Sequence, residues 1–391
     1  METWRSTTHP SPSTLKQCRR EVARRARLLA LACGALAWLA LSSAPAASRG
    51  SQETPANLTL LTRDGGRVAW YHGARHELIA YDAVVSGAKR NTEVFVMNPD
   101  GSGQRCVTCN SSIPKGFVGQ PEWHPDGEHL ILQAEGAGSK HGLFNHQSWG
   151  IDNDLWIVKT DGSGARRIWA SEPGRAALHP HVSDDGRTLT FAERVPTNRK
   201  LSGLGGLLGP GGENQWDGWR LHVAALDLAK DGTGALSNHR TLQPSGSGFY
   251  ETNQIIRGRI VYSHTAGGRP YVANVYEVGL DGSGVRQLTD GDGSWNEHGQ
   301  YSPDGRAFAF MSSRFKSSWH YPGSTVRDLA TELYVSEGGG PPRQLTRMNE
   351  MEKRAVVVSD YDWDRDGRRI VMQVAEISGR TTPRIWLLVL K

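Results

Sequence analysis

The chain has 391 residues, 37% of them hydrophobic, which is enough apolar sequence for a large core and excludes a mainly disordered protein. Its formal net charge is +5, but residues 1–47 carry seven basic and two acidic side chains, so the remainder is neutral. A neutral domain lacks the clustered Lys and Arg that nucleic acids attract, and we expect no nucleic-acid partner.

Residues 1–47 have the pattern of a secretory signal peptide. Five arginines within residues 19–27 precede an apolar run over residues 28–41, and small residues follow at 44–47. A basic region, an apolar run and a small-residue cleavage site define such a signal. The alternative is an uncleaved membrane anchor formed by residues 28–47. We therefore expect a periplasmic or secreted protein.

Repeats organise the rest of the chain. One phrase ending in Asp-Gly recurs at residues 120–127, 179–186, 298–305 and 360–367, and an apolar alternation such as Leu130-Ile131-Leu132 follows each copy. A second phrase, Asp-Gly-Ser-Gly, recurs at residues 100–103, 161–164 and 281–284. Alternation of period two indicates strands, and Asp-Gly between strands indicates a hairpin turn. Each unit therefore reads as four antiparallel strands, a to d, joined by turns.

Two degenerate units, near Arg67 and near Glu251, bring the number of units to six. Four-stranded units repeated at a period of about 40–70 residues predict an all-β, six-bladed β-propeller over residues 57–391. Its last unit lacks a d strand. We expect residues 57–62 to act as that outer strand, so that no edge is left exposed.

These phrases resemble the repeats of the TolB-type propellers, which are often described as WD-repeat-like with a W-S-P-D-G core. The resemblance covers about residues 57–391 and implies the propeller fold. TolB carries an additional N-terminal α/β domain, whereas here the repeats begin soon after the leader.

Cys106 and Cys109 are the two cysteines beyond the leader. No second Cys pair or His pair stands at zinc-finger spacing, and no βαβ context suggests a thioredoxin-like site. In an exported protein the interpretation we favour is a local disulfide, with zinc binding and redox activity as the alternatives.

The position seven residues before each turn glycine is the candidate functional position. Strand a is innermost in a propeller, so these side chains are predicted to ring one mouth of the central channel. We call this set the mouth ring: Gln120, His179, Glu251, His298 and Asp360, with Arg67 or Gly66 in the first blade.

Two imidazoles with two carboxylates suit Mn, Zn or Fe, so His179 and His298 are predicted metal ligands. Glu251 and Asp360 are candidates for a third ligand or a catalytic base. Gln120 and His181 are candidate ligand-binding residues. The alternative is a structural one, in which polar residues at the mouth cap turns and bind channel water.

The phrase His179-Pro180-His181 ahead of an Asp-Gly turn also resembles part of oligogalacturonate lyase, a propeller whose manganese site uses His and Gln side chains. The resemblance implies metal ligation by His179, His181 and His298, with Gln120 as the amide. The lyase has seven blades, whereas six are predicted here.

Long connections between strands b and c, at residues 135–153, 195–218 and 314–331, open on the same face as the mouth ring. Aromatic residues beside glycines in such loops suit stacking on carbohydrate or peptide. Candidates in and beside these loops are His141, His146, Trp149, Trp216, Trp219, Trp319, His320 and Tyr321.

Two functions therefore compete. The first is a monomeric binding module of the cell envelope that recognises a protein or a glycan through this face. The second is a metal-dependent lyase acting on acidic oligosaccharides.

The leader generates the first testable prediction. We expect the protein recovered from the periplasm or medium to have lost residues 1–47, because a signal peptidase cleaves after small residues. Intact-mass measurement and N-terminal sequencing check this. An uncleaved chain found in the membrane fraction would instead identify residues 28–47 as an anchor.

Overall fold

The computed structural model describes residues 57–85, 91–136, 139, 150–196, 217–229, 234–265, 272–290, 293–316, 329–376 and 382–390. These residues form six four-stranded antiparallel sheets, which confirms the six-bladed propeller. The signal-peptide prediction lies outside the described residues, and so do Trp149, Trp216 and Trp319.

The first three blades follow one another along the chain, each with its innermost strand first. Blade 1 comprises β2 (Val68–Trp70), β3 (Ile79–Val84), β4 (Thr92–Met97) and β5 (Arg105–Cys106). Blade 2 comprises β6 (Val118–Trp123), β7 (His129–Glu135), β8 (Asn153–Lys159) and β9 (Arg166–Trp169). Blade 3 comprises β10 (Ala176–Val182), β11 (Thr188–Arg194), β12 (Trp219–Leu228) and β13 (Gly234–Leu242).

The second half repeats the pattern. Blade 4 comprises β14 (Tyr250–Ile256), β15 (Arg259–His264), β16 (Asn274–Gly279) and β17 (Arg286–Gln287). Blade 5 comprises β18 (Asn296–Tyr301), β19 (Ala307–Ser312), β20 (Glu332–Glu337) and β21 (Arg343–Gln344), followed by the short helix α1 (Met348–Glu352). Blade 6 comprises β22 (Val357–Trp363), β23 (Arg369–Ala375), β24 (Arg384–Val389) and, as its outer strand, β1 (Leu58–Thr62).

Strand β1 pairs antiparallel with β24 and gives blade 6 its fourth strand. The innermost strands contact one another in a closed order, from β2 through β6, β10, β14, β18 and β22 back to β2. Among the described residues, no helix is long and apolar enough to cross a membrane.

The hydrophobic core lies between the blades. On β7, Leu130 and Leu132 pack in a cluster with blade 1, whereas Ile131 packs in a cluster with blade 3. Side chains alternate between the two faces of a strand, and both faces of an inner sheet are covered here. This is why the second strand of each unit reads as a continuous apolar run.

The disulfide prediction is confirmed, because Cys106 and Cys109 are joined. They stand at the end of β5, where Thr108 accepts a hydrogen bond of 2.9 Å from the backbone N–H of Val94. Thr289 and Thr346 make the same bond in blades 4 and 5, so the recurring threonine extends the short outer strand by a side-chain contact.

The turn aspartates tie strand a to strand b. The Asp126 carboxylate accepts hydrogen bonds from the backbone N–H groups of Glu128 and His129, and it contacts the imidazoles of His124 and His129 at 3.0 and 2.8 Å. Burial raises the pKa of Asp126, but these bonds to His124 and His129 outweigh burial and hold that pKa well below its usual range.

This arrangement predicts a pH-dependent contribution to stability. Because the folded-state pKa is depressed, the Asp126 carboxylate stabilises the fold above its unfolded pKa of about 3.9, and the contribution is lost as pH falls below that value. We expect Asp126→Asn to lower the free energy of unfolding by about 2 kcal/mol at pH 7 and by less at pH 3. Denaturant unfolding at both pH values checks this, and an equal loss at both would contradict it.

Candidate functional site

The mouth ring is built on a strained backbone within the innermost strands. Gln120, His179, His298 and Asp360 have φ values of 51°, 50°, 52° and 37°, in the left-handed region that side chains other than glycine rarely adopt. Each lies where the pairing of strands a and b shifts register. The sequence placed these residues just before strand a, but the structure places them inside it, at β-bulges.

Glu251 departs from this pattern. In blade 4 the register shift falls between Thr252 and Gln254, so Thr252, rather than Glu251, stands at the equivalent place in the strand. The reason is the short turn at Arg257-Gly258, since Ile256 and Arg259 on either side of it are already paired. Counting seven residues back from Gly258 therefore goes one residue too far along the strand. The Glu251 side chain nevertheless reaches the other ring members.

The structure brings four mouth-ring side chains together. The Glu251 Oε1 atom lies 3.0 Å from His179 Nε2 and 3.5 Å from His298 Nδ1. The Asp360 Oδ1 atom lies 3.7 Å from His179 Nε2. His179, His298 and Asp360 each offer one ligand atom, and these atoms all lie within 4.8 Å of one another. These are the separations of atoms that converge on one point.

Burial sets the charge states of the site. It lowers the pKa of His179 to about 3, despite the opposing charge of Asp360, so this imidazole is neutral at pH 7. Burial also raises the pKa of Asp360, but His298, His179 and Arg67 lower it below its usual value. The site therefore offers a neutral imidazole beside an ionised carboxylate.

Glu297, which sequence reasoning missed, completes the cluster. It is 7% exposed, accepts a hydrogen bond of 2.7 Å from Trp295 Nε1, and is hydrogen-bonded to Glu251. Burial and the charge of Glu251 raise the pKa of Glu297 well above its usual value. Glu251, Glu297 and His298 form a second group of convergent ligand atoms. No local sequence signal identifies Glu297, because neighbouring residues in a regular strand point to opposite faces and the register shift at His298 becomes visible only in the structure.

Gln120 supports the site through the backbone. Its Oε1 atom accepts a hydrogen bond of 3.0 Å from the backbone N–H of His179. The backbone N–H of Gln120 in turn donates to the carboxylate of Asp82. Asp82 is buried and also pairs with Arg67 at 3.4 Å. Of the two first-blade candidates, Arg67 contributes its side chain to the channel.

A cavity of about 290 Å³ occupies the channel below the mouth ring. It is lined by ring members and by residues further along the inner strands, including His181, Gln300 and Asp362. Asp184 and Pro303, at the turns between strands a and b, lie at its other end. The cavity therefore extends from the mouth ring towards the turns between strands a and b.

His181 lies in this lower part of the channel, with Nδ1 3.4 Å from the Oε2 atom of Glu122. The structure thus separates His181 from the metal-ligand group of His179, His298 and Asp360 and places it deeper in the cavity.

Trp219 was grouped with the loop aromatics, and that expectation is wrong. It is the first residue of β12, is 2% exposed and packs in the core between blades 3 and 4. Its apolar bulk fills an interface between sheets, which leaves no ring face for a ligand.

Comparisons with known proteins return distant similarities. No family model and no curated protein matches the chain. Among solved structures, a putative TolB from Agrobacterium tumefaciens is 13% identical, covers 78% of this chain and 100% of its own, and has a TM-score of 0.47. An oligogalacturonate lyase in complex with manganese is 12% identical, with coverages of 85% and 93% and a TM-score of 0.45.

A TolB from Acinetobacter baumannii is also 12% identical, with coverages of 84% and 78% and a TM-score of 0.45. At this distance a similarity says nothing about activity or ligand, because many unrelated functions use one fold. The six-bladed fold of this chain is established by its own six sheets.

Proposed function

We propose that this chain is an exported ligand-binding propeller whose channel mouth holds a divalent transition-metal ion. The ligands would be His179, His298 and Asp360, with Glu251 as a fourth. One observation carries the proposal: the Glu251 Oε1 atom is buried without a hydrogen-bond partner, although two imidazole nitrogens lie within 3.5 Å of it.

A buried carboxylate oxygen without a hydrogen bond is costly, and a bound cation would offset that cost. Metal–ligand bonds of about 2.1 Å separate neighbouring ligand atoms by about 3.0–3.4 Å at angles between 90° and 109°. The distances from Glu251 to His179 and His298 are close to that interval. Imidazole and carboxylate ligands together suit Mn, Zn or Fe.

The cavity defines what the metal site would serve. Its lining is polar and carries both signs of charge, with Arg67 near Asp360 and Gln300 and Asn253 further along. Its volume suits a small polar molecule rather than a folded partner. We propose that such a ligand lies in the channel against the metal site, while a glycan or protein partner at the long loops remains a separate proposal.

Metal analysis tests this function. We expect purified protein to contain close to one equivalent of Mn, Zn or Fe at the mouth ring, and a chelator to lower its Tm, because a ligand bound only to the folded state stabilises that state. In His179→Ala/His298→Ala the mouth-ring equivalent should disappear and the chelator should lower Tm by less than in the wild type, while circular dichroism stays unchanged.

The matched control is His76→Gln, which changes a histidine outside the channel, bonded to the Gly127 carbonyl, and should retain the mouth-ring metal. Glu251→Gln preserves the shape of the side chain and should weaken metal binding at least tenfold, by removing its charge. The proposal is refuted if wild-type protein grown in Mn, Zn and Fe holds no more metal than His179→Ala/His298→Ala and gains no more in Tm than that variant when these metals are added.

A metal-dependent lyase acting on acidic oligosaccharides is the second candidate. Arg67 favours it, because a guanidinium in the same cavity could hold the carboxylate of a uronic acid. In such a β-elimination a base removes the proton next to the carboxylate, a carbon–carbon double bond forms and the glycosidic C–O bond breaks. The candidate bases are Glu251 and Asp360.

Ultraviolet absorbance of the unsaturated product tests the lyase. We expect wild-type protein incubated with metal and uronic-acid oligosaccharides to form it, and Arg67→Met to reduce the rate at least tenfold by raising KM. If no uronide gives product although the metal is bound, the lyase function is refuted and only the binding function remains.

A further inference from the structure

Blade 3 carries a second histidine cluster, on its outer half and away from the channel. The imidazole of His222, on β12, is 4% exposed. Its Nδ1 atom lies 3.1 Å from the Oε2 atom of Glu193 on β11, and its Nε2 atom lies 3.1 Å from Nδ1 of His239 on β13. His239 is exposed. Three neighbouring strands thus align a buried carboxylate, a buried imidazole and a surface imidazole.

Glu193 determines which nitrogen of His222 carries its proton. The Glu193 carboxylate lies between two guanidinium groups, 3.0 Å from Arg175 and 3.4 Å from Arg220, and these positive charges favour its ionised form. An ionised carboxylate only accepts hydrogen bonds, so Nδ1 of His222 must be the donor. The lone pair of Nε2 is then directed towards His239.

Packing holds both rings in place. Phe191 stacks on His222 with ring centroids 4.5 Å apart. Trp169, from the neighbouring blade 2, lies 4.7 Å from the His222 ring and 5.4 Å from the His239 ring. Asn238 has a φ of 52° at an irregularity in the pairing of β12 with β13, directly before His239. The two imidazoles are therefore preorganised by aromatic side chains and by the backbone.

We propose that His222 and His239 form a binding site for a divalent transition-metal ion, distinct from the mouth ring. Bonds of about 2.0–2.1 Å from a metal to two imidazole nitrogens place those nitrogens about 2.8–3.4 Å apart at angles between 90° and 109°. The observed separation of 3.1 Å, spanned in this structure by a hydrogen bond that a metal ion would replace, falls in that range. Water completes the coordination on the exposed side of His239.

Glu193 acts in this site as a positioning residue. A carboxylate bonded to the far nitrogen of a metal-binding histidine fixes its tautomer and raises its basicity. Arg175 and Arg220 occupy the Glu193 oxygens at 3.0 and 3.4 Å and keep the carboxylate from turning towards the metal. The site then offers two imidazole nitrogens and no anionic oxygen ligand, whereas hard cations such as Ca²⁺ and Mg²⁺ depend on oxygen ligands, so it selects Cu²⁺ and Zn²⁺.

The experiment separates the two metal sites. Protein stripped with a chelator is titrated with Cu²⁺ and with Zn²⁺, in the wild type and in His179→Ala/His298→Ala. We expect the latter to retain one equivalent, with Cu²⁺ bound more tightly than Zn²⁺, and its electron paramagnetic resonance spectrum to show coupling to two imidazole nitrogens. Adding His239→Gln or His222→Gln should abolish that equivalent, whereas adding His76→Gln should not.

Glu193→Gln tests the positioning role. It should weaken metal affinity about 10–100-fold without changing the stoichiometry or the number of coordinated nitrogens. The proposal is overturned if His179→Ala/His298→Ala binds no Cu²⁺, or if His239→Gln leaves the remaining equivalent in place. His239→Gln in otherwise wild-type protein is an independent test. This variant should bind one equivalent of metal less than the wild type, whether or not the mouth ring binds metal.

Discussion

The structure depends on hydrogen bonds that join the innermost strand of one blade to the next. Separate sheets share no backbone ladder, so side chains must satisfy the inner edges. The residue two positions after the bulge often does this: Gln254 bonds both the N–H and the C=O of Tyr301, Gln300 bonds the C=O of Tyr361, and Asp362 bonds the N–H of Trp70. These contacts make the channel wall a continuous polar layer.

That constraint explains where the candidate site lies. In five of the six inner strands, all except β2, a bulge inserts a residue that no ladder position accommodates, and side chains at these bulges turn into the channel. A left-handed residue other than glycine costs about 1 kcal/mol, and four blades carry one at the same place. Because the blades repeat with near sixfold symmetry, the same position in different blades faces one channel. Residues far apart in the chain, such as His179, His298 and Asp360, therefore come together.

The two histidine clusters use imidazole in different environments. At the mouth ring, burial keeps His179 neutral beside the carboxylates of Glu251 and Asp360. In blade 3, the carboxylate is held by two arginines and only orients His222, while His239 reaches solvent. In the two proposed sites the same side chain would therefore act in a buried channel and on a partly exposed blade surface, and the ligands beside it would decide which ions each site binds.

The sequence alone determined the number of blades, their strands, and four of the five mouth-ring positions, because turn glycines and period-two apolar runs are local features of the chain. It misplaced Glu251 by one residue, since the register of blade 4 depends on a turn of different length. Glu297, helix α1 and the alignment of Glu193, His222 and His239 were decided only by the tertiary structure. Their contacts cross strands and blades, and no local pattern encodes the side-chain conformations that bring such residues within 3 to 4 Å.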